Sequence, residues 1–289
     1  MNRRSALTPV TLALALGVVT LLSSCAGTAP KSDGSALPEV SVARYSNVVA
    51  TLDYEHGLAA LPTTDLDTAA PGFTMKILHA IAVRTDACMV KQGLPAIAAQ
   101  QDWHPYVGDE DRTLGRWSTA YANKYGVAPA PESQPGEIDL ASRGTAFTGA
   151  YSACQDKAKT SLDAQLQFVQ DQNVVSAIKW QAFKLATTSA AGKKAIQTWH
   201  GCAEKAGVVL DEQSGGPSTQ YSSQGKESEI KAFTTYAECA RTTGAVQTIF
   251  TLRAQYETAL MDASEAQVAA FQDERAGVVK QLDDAIAGR

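Results

Sequence analysis

Apolar positions recur with helical spacing over most of this chain. Leu78, Ile81, Thr85 and Cys88 stand at i, i+3, i+7 and i+10, one stripe of a helix that starts near Phe73 and is stopped by Gly93 and Pro95. A second helix is predicted from about Asp109 to Tyr125, with Leu114, Trp117, Tyr121 and Tyr125 on one face and Gly126 at its end. Pro129, Pro131 and Pro135 then enforce a loop. A third stretch starts near Ile138 and carries Phe147, Tyr151, Cys154, Ala158 and Leu162 in register. It runs on through Val169, bends near Asp171 to Asn173, and resumes across Val174, Ile178 and Ala182. A fourth helix, about Ala190 to Ala206, aligns Ala195, Trp199, Cys202 and Ala206. Residues 211–225, rich in Gly, Ser and Gln, read as a surface loop. Helical pattern returns near Glu227 and reaches Gly244. Residues 245–286 hold no proline and one glycine, which predicts a helix of up to about forty residues with a break around Asp262 to Glu265. No stretch alternates convincingly with period two, and residues 40–59 are expected to cross the helical core as extended chain and short turns. The predicted fold class is all-α, a helical domain over 41–289 with a long C-terminal helix.

The cysteines sharpen that picture. Cys88, Cys202 and Cys239 are each followed five residues later by glycine (Gly93, Gly207, Gly244). Cys154, Cys202 and Cys239 each have an aromatic three places before (Tyr151, Trp199, Tyr236). This is the last turn of an amphipathic helix, repeated: the aromatic shares the buried face with the cysteine, and the glycine supplies the left-handed residue that ends it. Lys91, Lys205 and Arg241 fall in those last turns, where the helix dipole favours cations. Four cysteines allow three pairings, and sequence order favours Cys88 with Cys154 and Cys202 with Cys239, each bond stapling one helix pair. With no CxxC pair and the four spread along the chain, zinc binding is disfavoured.

The N-terminus supplies the expected address. Arg3 and Arg4 precede an apolar run from Ala6 to Leu22, too short and too rich in small residues for a comfortable membrane span, and Leu22-Ser23-Ser24-Cys25 closes it as a bacterial lipobox. The expectation is a signal peptide over 1–24, cleaved to leave Cys25 carrying lipid, palmitate among its acyl chains. A flexible tether follows over 25–40, interrupted by Pro30 and Pro38. This would place a lipoprotein on the outer face of the cytoplasmic membrane, where an even cysteine count reads as disulfides. The formal charge of −5 becomes −7 once Arg3 and Arg4 leave (−5 − 2). That balance argues against nucleic acid and against electrostatic adhesion of the whole chain to an anionic bilayer.

Taken together, Leu52-Asp53, Pro62, Cys88-Met89 with Gly93, Asp102-Trp103, Arg116-Trp117, Tyr125-Gly126, Tyr151 with Cys154, Trp199 with Cys202 and Gly207, and Glu238-Cys239 ahead of Tyr256 are a pattern. On it, the chain from about Thr51 resembles a group of uncharacterised secreted proteins and lipoproteins of actinobacteria. The resemblance implies an all-helical, disulfide-bonded envelope domain and brings no catalytic assignment. Two positions depart from it: Ala203 where a methionine is expected, and Ala240 where a basic residue is expected.

Catalytic motifs are thin. Ser223 to Lys226 and Ser228 to Lys231 fit SxxK, but the companion SDN and KTG motifs are absent. There is no GxSxG, HExxH, phosphate loop or EF-hand loop. Bonding of Cys202 to Cys239 would bring Glu204 and Glu238 onto neighbouring helix ends, a conceivable acid pair for glycan cleavage, although both positions should face solvent. The four histidines, His56, His79, His104 and His200, are too scattered to suggest a metal, and no cofactor is expected. Trp103, Tyr106, Arg112 and Arg116 form the candidate binding surface, since aromatics with arginine suit sugar or peptide grooves. The expectation is a lipid-anchored cell-envelope binding or protein-interaction module, its long C-terminal helix being the favoured surface for an envelope protein or cell-wall partner. The alternative is a cell-wall-active enzyme or its accessory subunit.

Overall fold

A computed structural model describes residues 37–288 except 69, 100, 102, 104–109, 129–137 and 171–172, all within the unit spanning 34–289. The signal segment, Cys25 and most of the tether lie outside the described residues. The protein is all-α, with a two-stranded hairpin as its sheet among the described residues: β1 (Thr51–Asp53) pairs antiparallel with β2 (Leu58–Ala60). The turn between them is made by Asp53, whose Oδ1 accepts from the amides of Glu55 (2.9 Å) and His56 (3.0 Å), and by Gly57 at φ +66. Sequence analysis missed the strands because three residues are too few to show alternation.

The first helix, α1 (Pro71–Lys91), runs between proline at its start and Gly93 at φ +76 past its end, and its stripe includes Thr85, whose hydroxyl bonds the Ile81 carbonyl at 2.7 Å. The second, α2, spans only Thr119–Tyr125, so the expected start near Asp109 is wrong. Ser118 caps it, accepting from the Tyr121 amide at 3.2 Å. Residues 110–118 are instead held as a loop by their own charges. The third stretch also starts later than expected, at Thr145, after Gly144 at φ +82. It is cut into α3 (Thr145–Ser161), α4 (Asp163–Gln170) and α5 (Val174–Thr188), the last capped by Asn173. Next come α6 (Ala190–Lys205), the single turn α7 (Gln220–Ser223) inside the polar loop, and α8 (Lys226–Thr242). The C-terminal run is two helices, α9 (Ala245–Ala263) and α10 (Glu265–Ile286), broken at Ser264 inside the expected window.

Both disulfides take the favoured pairing. Cys88–Cys154 staples α1 to α3 and Cys202–Cys239 staples α6 to α8, with Cα atoms 5.5 and 5.7 Å apart. Cys88, Cys202 and Cys239 lie at helix ends as expected, whereas Cys154, which has no glycine five residues on, sits in the middle of α3. Tyr151, Trp199 and Tyr236 are buried beside the cysteines, and Gly93, Gly207 and Gly244 all have positive φ.

Helix α5 ties the core together. Its stripe of Val175, Ile178, Ala182 and Ala186 feeds three apolar clusters in turn. Val175 joins Phe73, Ile77, Phe168 and Phe271. Ile178 and Ala182 meet Leu260 and Val268. Ala186 joins Trp199, Tyr236, Ile249 and Phe250. Helix α10 packs on α1, α5 and α9 and buries Val268, Phe271, Leu282 and Ala285. The C-terminal helix therefore spends its apolar face on the domain's own core. The argument that it needs a partner surface falls, because that argument required a helix longer than the body beneath it.

Candidate functional site

Of the four residues expected to form a binding surface, Trp103, Arg112 and Arg116 are among the described residues, and Arg116 and Trp103 are engaged in packing. Arg116 is buried (1% exposed) and serves structure: its Nε lies 2.9 Å and its Nη2 2.8 Å from Glu110 Oε2, and its Nη1 donates to the carbonyls of Tyr121 and Gly126. Burial pushes the Glu110 carboxyl up, against the pull of Arg116 and Arg112. Arg112 is half-exposed and donates to the Val127 carbonyl at 3.1 Å. Trp103 sits elsewhere, stacked on His79 with ring centroids 4.7 Å apart and packed against the cluster around Cys154. Tyr106 lies outside the described residues. Of the aligned aromatics, Trp117 is fully buried, its Nε1 donating to the Asp111 carbonyl at 2.7 Å, while Tyr121 and Tyr125 are half-buried.

The catalytic ideas find no support in geometry. Ser223 Oγ donates to the Gln220 carbonyl of its own turn, and Ser228 Oγ to Gln224, so neither SxxK serine engages its lysine. Lys226 instead joins Ser222 and the Val127 amide in holding Glu229, at 2.7, 2.6 and 3.1 Å. Burial pushes this carboxyl up, but those three hydrogen bonds and the lysine charge outweigh it and hold its pKa at about 2. It is a clasp: Lys226 also donates to the Tyr125 carbonyl at 2.6 Å, tying the start of α8 to the end of α2. Glu204 and Glu238 are both exposed. His56 pairs with Asp53 at 2.7 Å on the surface, which raises its pKa, whereas burial lowers those of His79 and His200. Among the described residues no group of three or more His, Cys, Asp or Glu is placed to hold a metal ion.

A site that sequence reasoning did not find lies where α1, the α3–α4 junction and α10 meet. A cleft of about 510 Å³ is lined by Arg84, Ser161, Leu162, Gln165, Lys280, Gln281 and Asp284. Leu162 is its apolar floor, 2% exposed. Arg84 flanks the buried stripe of α1 and donates from Nη1 to Ser161 Oγ at 3.3 Å. The side chains of Gln165 and Gln281 hydrogen-bond to each other, and Lys280 is tied to Asp284 at 2.7 Å. Among the described residues two covered atoms on this wall have no hydrogen-bond partner, Arg84 Nε and Gln165 Oε1. With Lys280 and Asp284 cancelling, the charge left over is that of Arg84, which has no acidic partner among the described residues. The lining of the cleft thus includes a cationic donor and a neutral acceptor, side chains suited to a carboxylate and to an N–H or hydroxyl. Its residues come from three segments up to 200 positions apart, so no local pattern could announce it.

No family model, curated protein or solved structure matches the chain. Among the described residues no helix is long and apolar enough to cross a membrane.

Proposed function

We propose that the protein is a lipid-anchored component of the cell envelope that binds a small carboxylate-bearing ligand in the cleft between α1, α4 and α10. The observation that carries the binding reading is the pair of unpartnered, covered atoms on the cleft wall, Arg84 Nε and Gln165 Oε1. Orphaned polar groups cost about 1–3 kcal/mol each, a cost that a ligand supplying both partners removes. The lining offers charge and hydrogen bonds, and its one hydroxyl, Ser161, donates to the Ala158 carbonyl of its own helix, which favours binding over turnover. The anchor reading is supported by the lipobox at Leu22 to Cys25 and by a chain stapled with two disulfides, a habit of exported proteins.

N-acetyl-alanine, which carries a carboxylate next to an amide N–H, is the probe that tests this. Titration followed by amide NMR should shift signals at Arg84, Gln165 and Gln281, and the methylamide analogue, lacking the carboxylate, should not. Arg84→Met should weaken binding at least about tenfold, the worth of one charge-assisted hydrogen bond. Binding that survives Arg84→Met unchanged, or equal binding of the uncharged analogue, would remove the reading.

A further inference from the structure

The acidic balance of the chain hides one long basic segment. From residue 172 to residue 203 the sequence holds four lysines and no acid, the longest acid-free run after residue 33. The structure folds this segment into the adjoining helices α5 and α6, which both lay their buried stripes on α9. Opposite those stripes, Ala177, Trp180, Lys184 and Thr188 on α5 and Lys193, Lys194 and Gln197 on α6 are exposed. Lys179 is neutralised by Asp67, whereas Lys184, Lys193 and Lys194 have no ion pair among the described residues.

Trp180 on the exposed side of α5 is 72% exposed, its ring in edge contact with Phe183 at 6.3 Å. An indole with this much surface in water is unusual for a residue type that dominates cores and interfaces. Trp180 and Lys184 are four residues apart and so are neighbours on the helix surface. Aromatic rings settle at the headgroup level of a bilayer, and lysines beside them are drawn to anionic lipid.

The described chain begins at Leu37, which packs with Val40 against the cluster of Ile178, Ala182, Leu260 and Val268, and two of those residues belong to α5. Leu37 stands twelve positions after Cys25, a stretch that can span at most about 40 Å. A lipid on Cys25 would therefore hold Leu37, beside the buried stripe of α5, within that distance of the bilayer, a reach that lets the domain turn its α5–α6 face to the surface.

We propose that the α5–α6 face docks on an anionic membrane surface, with Trp180 at headgroup depth and Lys184, Lys193 and Lys194 against the lipid phosphates. This rests on the lipid-anchor reading for its geometry, and it turns a loosely tethered domain into an oriented one. The net charge of the chain opposes such contact only on average; the face itself is cationic.

The test uses the purified lipidated protein reconstituted into vesicles of phosphatidylglycerol with brominated phosphatidylcholine. Trp117 and Trp199 are buried and Trp103 is packed against His79, so Trp180 is the emitter that bromine can reach. Bromine should quench part of the tryptophan emission, and Trp180→Phe should lose that quenching. Reversing the three lysines (Lys184→Glu, Lys193→Glu, Lys194→Glu) should cut it at least about fivefold, given that one lysine near an anionic surface is worth about that much. Absence of quenching in the wild-type protein, or equal quenching in vesicles without phosphatidylglycerol, overturns the proposal. Intact-mass analysis of the Cys25 peptide judges the anchor separately. Lipid on Cys25 without quenching leaves an anchored protein and refutes docking, whereas quenching without lipid upholds docking and refutes the anchor.

Discussion

Replacing Arg116 by methionine separates a structural arginine from a ligand-binding one. The guanidinium is 1% exposed, and its partner Glu110 has a side chain 3% exposed. Methionine has nearly the length of the arginine stem but none of its donors. The substitution strands a carboxylate that is almost wholly removed from water and leaves the Tyr121 and Gly126 carbonyls without their guanidinium donor. Breaking a buried ion pair from one side costs about 3–5 kcal/mol, and the lost carbonyl contacts push this site toward the upper half of that range. Against a total stability of roughly 5–15 kcal/mol, about 4 kcal/mol is a large fraction. With a urea m-value of about 3 kcal/mol/M, the unfolding midpoint should fall by about 1 M. The double variant Arg116→Met with Glu110→Gln removes the uncompensated charge and should recover about half of the loss. Urea unfolding followed by circular dichroism reads all three proteins. A loss below about 1 kcal/mol in the single variant, or no recovery in the double, would refute the reasoning and return Arg116 to the list of ligand-binding candidates.

Three further outcomes follow from the geometry. Removing the Cys202–Cys239 bond by paired serine substitution should cost about 4 kcal/mol, as should removing Cys88–Cys154, since the loops closed are 37 and 66 residues long; thermal unfolding of the two variants checks this. Leu282→Ala, at a fully buried position of α10, should cost about 2–5 kcal/mol, whereas a helix that protruded from the domain would lose almost nothing. Glu229 has a folded pKa of about 2 against an ordinary 4.5, so its contribution, at most about 3 kcal/mol, is fully present above pH 4.5 and is lost as the pH falls from there to about 2. Glu229→Gln should accordingly be less stable than the wild type at neutral pH and converge with it near pH 2, which denaturant midpoints taken across that range will show.

Arg116 also shows why part of this molecule could be read from its sequence and part could not. Helix spacing is a local property, so the stripes of α1, α5, α6 and α8 were legible, as were the breaks at Gly93, Gly207, Gly244 and Ser264. The 110–118 segment looked helical because Leu114, Trp117 and Tyr121 are spaced for it. Its conformation is set instead by Glu110 gripping Arg116, by the Asp111 amide donating to the Gly57 carbonyl at 2.8 Å, and by the close approach of Gly57, where an added Cβ would stand 2.6 Å from the Glu110 side chain. Gly57 stands more than fifty positions before Glu110 and Asp111, and no window short enough to show periodicity contains both ends of that contact.

By itself the sequence determined the all-α class and the helix ends at Cys88, Cys202 and Cys239, and its order favoured the observed pairing, because each rests on contacts three to five residues apart or on the order of neighbouring elements. Only the tertiary structure decided what each side chain is used for. It buried Arg116, turned the α10 stripe inward, gathered Arg84, Gln165 and Gln281 around one cleft, and left Trp180 outside. Whether a polar or aromatic group faces water, a partner or the core depends on which distant helix is packed against it, and that is a property of the whole chain rather than of any segment.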